Sequence, residues 1–173
     1  MKSQKSQIKE FLSESNKIEG VYDEDSLQQA QYAWDYLIEQ DTLTIDVVLK
    51  THKILMLNQP LQPNEKGYFR KRPVYIGGRE GVYWEDIPKA IKQWIVNVND
   101  IVVNGQNESE IFLERIIKEQ HVTYETIHGF IDGNGRTGRI FLNWTRVKVG
   151  LPLLIIHEGD EQMTYYTWFK KNQ

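Results

Sequence analysis

His128-Gly129-Phe130-Ile131-Asp132-Gly133-Asn134-Gly135-Arg136-Thr137-Gly138-Arg139 is the stretch on which the fold turns. Within it, Gly133-x-Gly135-x-x-Gly138 matches the dinucleotide-binding fingerprint, with Glu158 at the spacing expected of an acid that holds a ribose. That fingerprint needs a strand in front of it. Here the preceding Leu113, Ile116, Ile117, Gln120, Tyr124 and Ile127 recur at helical spacing, over a segment too long for a strand. The parallel-sheet reading is therefore rejected. Ile140, Phe141, Trp144 and Val147 carry a second helix to about Gly150, so the stretch is a loop between two helices.

Its residue types suit phosphate. Gly133-Asn134-Gly135 can take backbone angles closed to other residues and turn successive N–H groups inward as a nest for an anion. With a helix starting near Gly135, Arg136 and Arg139 share a face near its positive end, and their planar forks match phosphate oxygens in pairs. Asp132 is a hard oxygen ligand suited to Mg2+ bridging phosphates. His128 is the side chain here that takes a proton near neutral pH. A Gly-Asn-Gly turn flanked by charges is more often a solvated helix connector, and this stretch differs in placing all of these groups together.

Working outward, Gly150-Leu-Pro152-Leu-Leu-Ile-Ile reads as an extended apolar link, and Asp160 as the cap of a last helix carrying Met163, Tyr166 and Phe169. On the N-terminal side, residues from Glu108 to Ile127 form a long helix with a core face dense enough to be central, in which His121 is a packing or surface residue. Before it, Ile87, Ile91, Trp94, Val98 and Ile101 form a helix ended by Gly105. Residues 68 to about 84 have a different texture, with β-branched and aromatic residues flanking a glycine-rich turn. This predicts a short hairpin whose open edge can pair with an extended peptide; Arg70-Lys71-Arg72 in it is a solvated basic run.

Further back, Thr44 caps a helix with Val48, Leu49, His52, Leu55 and Met56 on one stripe, and His52 is a packed core residue without chemistry. Leu27, Ala30, Trp34, Leu37 and Ile38 form another helix after the acidic cap region Asp23 to Asp25. The first helix carries Ile8, Phe11, Leu12, Ser15 and Ile18, with Ser3 or Ser6 as its cap and Gly20 as its stop. Glu19 faces the negative end of that helix dipole, where a cation is better placed; it is either simply solvated or used elsewhere.

The 173 residues, 40% hydrophobic with five Trp, nine Tyr and six Phe, suffice for one core and one domain, residues 1–173. The net charge of −3 argues against a nucleic-acid partner, and no recognisable reading helix is present. Without cysteine there is neither a disulfide framework nor a thiolate metal site. The N-terminus lacks the apolar run of a secretory signal, and no apolar run is long enough to span a bilayer, so a soluble cytoplasmic protein with no membrane partner is expected.

The central stretch resembles the signature of the Fic (filamentation induced by cAMP) family, His-x-Phe-x-Asp/Glu-Gly-Asn-Gly-Arg-x-x-Arg, at every specified position. Ser15-x-x-x-Glu19-Gly20 is similar to the inhibitory motif of autoregulated members whose inhibitory helix precedes the core, here residues 1–20. The resemblance implies an all-α, compact helical bundle of the Fic type, with a small β-hairpin flap at about 68–84 on which the target protein docks, and the catalytic loop and helix start at 128–139. It implies a protein adenylyltransferase that uses ATP and Mg2+ to move AMP to a Ser, Thr or Tyr hydroxyl. His128 would be the general base and Asp132 the metal ligand. Gly133, Asn134 and Gly135 would line the phosphate cradle, Arg136 would secure the phosphates or the loop, Arg139 would clamp the terminal phosphate, and Phe130 would pack the loop. Glu19, with Ser15 and Gly20, would restrain the enzyme by pairing with Arg139. Alternatives are transfer of another phosphate-bearing group, removal of AMP, or a non-catalytic module that senses a nucleotide. The aromatic content also leaves room for a homo-oligomer.

Overall fold

The computed structural model describes residues 3–170. Most helices open on a short polar side chain that satisfies an orphan N–H. Ser3 Oγ accepts from Ser6 N at 3.2 Å and opens α1 (Gln4–Ile18), which settles the cap on Ser3. Asp23 accepts from Ser26 N at 2.7 Å at the head of α2 (Glu24–Ile38), and Thr44 from Val47 N at 3.2 Å at the head of α3 (Ile45–Leu55). Two very short strands follow, β1 (Tyr75–Ile76) and β2 (Arg79–Glu80). Then come α4 (Ile87–Asn104), ended at Gly105, and α5 (Glu110–Ile127), capped by Ser109 and so starting two residues later than expected. The last two helices are α6 (Asn134–Lys148) and α7 (Asp160–Tyr166). The fold is therefore mostly helical, with seven α-helices among the described residues and one small antiparallel hairpin. None of those helices is long and apolar enough to cross a membrane.

The hairpin is narrower than the 68–84 segment. Tyr75↔Glu80 and Ile76↔Arg79 pair around Gly77-Gly78 at φ 53° and 80°, and Gly81 N bonds Val74 O at 2.9 Å at the open end. Two successive positive φ values are what a tight two-residue hairpin turn demands, and glycine meets them without strain. Both strands are exposed on both faces, so no buried side chain rewards a longer ladder.

The hub is α6 and not, as its dense apolar face suggested, α5. Helix α6 touches α1, α2, α3, α4 and α5, and is buried over most of its length. Its sequence hides this, because many of the buried residues are polar. They are satisfied inside: Asn143 bonds to Leu154 through both amide atoms, and Arg146 donates to Pro152 O at 2.8 Å and to Glu114 at 2.5 Å. Around them Phe11, Trp34, Trp94, Tyr124, Phe141 and Trp144 build the main apolar core.

The last helix also differs from expectation. Gly159, at φ 104°, precedes it, and Asp160 is its first residue instead of its cap. Met163 is 64% exposed, and the residue turned inward is Tyr165, which packs with Ile18 and Ile156.

Candidate active site

The loop 128–133 leaves α5 through a left-handed residue. His128 sits at φ 49°, ψ 58°, and is the one non-glycine with positive φ among the described residues; its N–H bonds Tyr124 O at 3.1 Å. Such a conformation costs about 1 kcal/mol or more and needs support from its surroundings. Arg70 supplies it. Its Nε donates to His128 O at 2.7 Å, its Nη2 to Val82 O at 2.5 Å and its backbone N to Gly129 O at 2.9 Å. Arg70 is thus a buried cation at the C-terminal end of α5, tying the base of the hairpin to the loop, whereas its neighbours Lys71 and Arg72 are exposed as expected.

Inside the loop, Phe130 is fully buried and stacks on His52 with centroids 3.7 Å apart and planes 6° apart. His52 Nδ1 accepts from Gly67 N at 2.9 Å, so its Nε2 carries the hydrogen that reaches Asp132 O, also at 2.9 Å. Burial pushes its pKa down to about 4, which keeps this neutral tautomer. His52 is therefore a loop anchor that sequence reasoning passed over. Asn134 closes the loop from below, accepting from Phe130 N and donating to Phe130 O, each at 2.9 Å. Its side chain faces the protein, so toward an anion it offers only its backbone.

The cradle is built differently from a run of glycine-only angles. Gly133 alone takes a left-handed φ, 80°, and a Cβ there would lie 2.6 Å from Met56 Sδ. Asn134 and Gly135 are already helical, and α6 points its free N–H groups out of the loop. Gly135 is needed for space: a Cβ there would strike the Glu19 carboxylate and lie 3.0 Å from Arg139 Nη1.

Two arginines flank this helix end. Arg136 is buried, with one nitrogen 3.3 Å from Met56 Sδ and 3.9 Å from Asp132 Oδ2, while its Nε and Nη1 are sealed from solvent with no hydrogen-bond partner among the described residues. Unpaired buried donors on a cation are costly, and the nearby Asp132 carboxylate offsets part of that cost. Arg139, also buried, donates from Nε to Ser15 Oγ at 2.9 Å and from Nη2 to Ser15 O at 2.9 Å and Glu19 Oε1 at 2.7 Å. Gly20, at φ 70°, ends α1 directly behind Glu19, and a Cβ there would point into open space among the described residues. Asp132 keeps its carboxylate largely exposed, with Oδ1 accepting from Gly133 N at 2.7 Å. One exposed carboxylate beside the open N-terminus of α6 fits Mg2+, since that ion takes few protein ligands and completes its shell with phosphates and water.

His128 Nδ1 lies 3.3 Å from Glu125 O. A carbonyl can only accept, so Nδ1 carries the hydrogen and Nε2 is left with a free lone pair. Burial lowers the His128 pKa, and so the neutral ring is the form present at neutral pH. The Glu125 side chain lies against Gly138, its buried Oε1 4.0 Å from His121 Nε2 and without a hydrogen bond among the described residues; burial raises this carboxyl to about 7. The structure thus brings Ser15, Glu19, Arg139 and Gly135 to one place, and sets His128, Asp132 and Arg136 around the same loop. Neither Arg70, His52 nor Glu125 carries a local sequence signal of its role, because each acts on backbone or space supplied by distant residues.

A family model described as Fic/DOC family matches residues 42–145, well over half of the chain. That match begins after α1, so the part α1 plays rests on the contacts it makes here. The protein adenylyltransferase Fic of Drosophila persimilis is 28% identical over 137 residues, covering 78% of this chain and 25% of the relative. Its counterpart in Drosophila melanogaster is 27% identical over the same length. The chain thus spans about a quarter of these curated relatives. In fold, it is similar to a Fic domain containing signaling protein from Bacteroides thetaiotaomicron, with a TM-score of 0.77 at 18% identity, covering 95% of this chain and 71% of that one. It is also similar to Fic-1 of C. elegans, with a TM-score of 0.72 at 21% identity, covering 95% and 55%.

Proposed function

Because the chain belongs to the Fic/DOC family, we propose that it is a protein adenylyltransferase, moving AMP from ATP to a Ser, Thr or Tyr hydroxyl of a target protein, and that Glu19 restrains it. The observation that carries this reading is the pair of buried arginines at the open end of α6. Arg136 lies 3.9 Å from Asp132, and Arg139 is occupied by a carboxylate from another helix. The name adenylyltransferase borne by the curated relatives supports the same chemistry.

In this reading, the orphan N–H groups of α6 and Arg136 receive the phosphates, and Arg139 takes the terminal one after Glu19 leaves. Asp132 would hold Mg2+, which, when bound, neutralises charge on the phosphate oxygens and the leaving pyrophosphate. The target hydroxyl oxygen attacks the α-phosphorus and gives its proton to His128 Nε2. The bond from that phosphorus to the bridging oxygen breaks, and pyrophosphate carries off the electron pair. With Nδ1 turned to the Glu125 carbonyl of α5, Nε2 lies on the ring edge away from that carbonyl. An extended target segment would pair with the exposed edge formed by Tyr75 and Ile76.

The test compares wild type, Glu19→Gly and Glu19→Gly/His128→Ala in a cell lysate with Mg2+ and ATP labelled at the α- or the γ-phosphate. The expected result is protein-bound α-label, chiefly in Glu19→Gly, that disappears when His128 is also replaced. Transfer of γ-label would make the protein a phosphotransferase. Absence of label in every case would overturn the catalytic reading.

A further inference from the structure

Two buried polar residues take no part in the chemistry above. His121 of α5 and Tyr165 of α7 are 3% and 4% exposed, and they meet beside the segment of α6 that carries Arg139. We infer that they are positioning residues for Arg139, forming a brace that holds its backbone and its guanidinium in place when Glu19 is withdrawn. This inference rests on Arg139 being the terminal-phosphate clamp.

The hydrogen-bond directions follow from valence. His121 Nδ1 is 3.2 Å from the Gly138 carbonyl, which can only accept, so Nδ1 carries the hydrogen. Nε2 is then an acceptor, and the Tyr165 hydroxyl, 2.8 Å away, donates to it. Burial drives the His121 pKa down to about 3, and the nearby Arg139 charge acts in the same direction, so the ring stays neutral as this chain of bonds requires. Tyr165 in turn presents its ring to the guanidinium, with Arg139 Cζ 5.8 Å from the centroid, within the range of a cation–π contact. Having given its hydrogen to His121, the hydroxyl oxygen keeps its lone pairs, and a cation beside it is favoured. Trp168 and Phe169 pack edge-on against Tyr165 with centroids 5.3 and 5.1 Å away, leaving it little room to swing.

Arg139 therefore has two holders of different kinds. On one side, α1 offers Glu19, an anion that competes with phosphate, together with the hydroxyl and carbonyl of Ser15, which do not. On the other, the brace offers a neutral ring and a hydroxyl, which stay in place while a phosphate binds. It grips α6 at the carbonyl one residue before Arg139, so backbone and side chain are fixed together.

The test is calorimetry in the Glu19→Gly background, with ATP and with AMP in the presence of Mg2+. Tyr165→Phe keeps the ring and loses the hydroxyl; it should weaken ATP about 2- to 10-fold, the loss expected for one neutral hydrogen bond, and leave AMP unchanged. His121→Gln, whose amide can donate to Gly138 and accept from Tyr165, should retain most of the ATP affinity, and His121→Leu should lose it. Equal losses for ATP and AMP, or no loss in Tyr165→Phe, would overturn the brace alone. A Glu19→Gly parent that binds ATP no tighter than AMP would overturn the clamp and the brace together. If Tyr165→Phe fails to fold, the nitrogen shifts of His121 in 15N-labelled native protein decide. Protonated Nδ1 with bare Nε2 between pH 5 and 7 is expected, and the opposite tautomer or a titrating ring would refute the inference.

Discussion

Replacing Glu19 by glycine removes a single ion pair whose strength can be worked out from its surroundings. The Arg139–Glu19 contact is 2.7 Å, with the guanidinium 3% and the carboxylate 40% exposed. A hydrogen bond to a charged group contributes roughly 1.5–3 kcal/mol, and solvent reaching the carboxylate reduces this to about 1–2 kcal/mol. The two bonds from Arg139 to Ser15 survive the substitution, so the guanidinium keeps its place. A terminal phosphate has to displace the carboxylate, so its removal should tighten ATP binding by about 5- to 30-fold. AMP, which lacks that phosphate, should bind as before. The same variant should lose about 1–2 kcal/mol of folding stability, because α1 loses a contact with α6. Calorimetry with both nucleotides, alongside urea denaturation, measures all three quantities. If stability fell while ATP affinity stayed unchanged, Glu19 would be a structural strut and the autoinhibition argument would be wrong.

His128 has its pKa lowered by burial, so kcat/KM should be level through neutral pH and fall only as pH drops through a value below the ordinary 6.5; a midpoint at or above 6.5 would remove it as the base. Asn134→Ala strips both backbone groups of Phe130 of their partner and should cost about 2–4 kcal/mol in urea denaturation, with Asn134→Asp losing less because it keeps the acceptor. His157 lies between Glu161 of α7 at 2.7 Å and Glu10 of α1 at 3.2 Å, and these partners raise its pKa, with Glu14 adding to the effect. A raised folded-state pKa means the stabilisation is complete below about 6.5 and lost as pH rises through the higher folded value. The stability of wild type relative to His157→Gln should therefore shrink on going from pH 6 to pH 9, and a constant difference would show that the pair is not ionic.

Helix positions were legible because each helix carries its own signal. Ser3, Asp23 and Thr44 cap locally, and a stripe such as Ile87, Ile91, Trp94, Val98 and Ile101 buries itself wherever a partner lies, whereas the Ser109 cap of α5 was passed over and that helix placed two residues early. The hub role of α6 was not legible, since polar residues such as Asn143 and Arg146 give no apolar signal, and their burial rests on partners in other segments. Tyr165 was missed for a related reason: on a seven-residue helix, the apolar face cannot be told from spacing alone.

What the sequence determined by itself was the character of the loop, its family signature, and the residue types that a phosphate and a proton transfer require. These are local, fixed by glycine's freedom and by the chemistry of His128, Asp132, Arg136 and Arg139. Tertiary structure alone decided that Gly135 is small to admit the Glu19 carboxylate, that Arg70 and His52 anchor the loop, and that Arg139 is gripped by α1 on one side and α7 on the other. The physical reason is that these roles belong to pairs. Arg139 and Glu19 are 120 positions apart, and a hydrogen bond between them exists only after the core has brought their helices together.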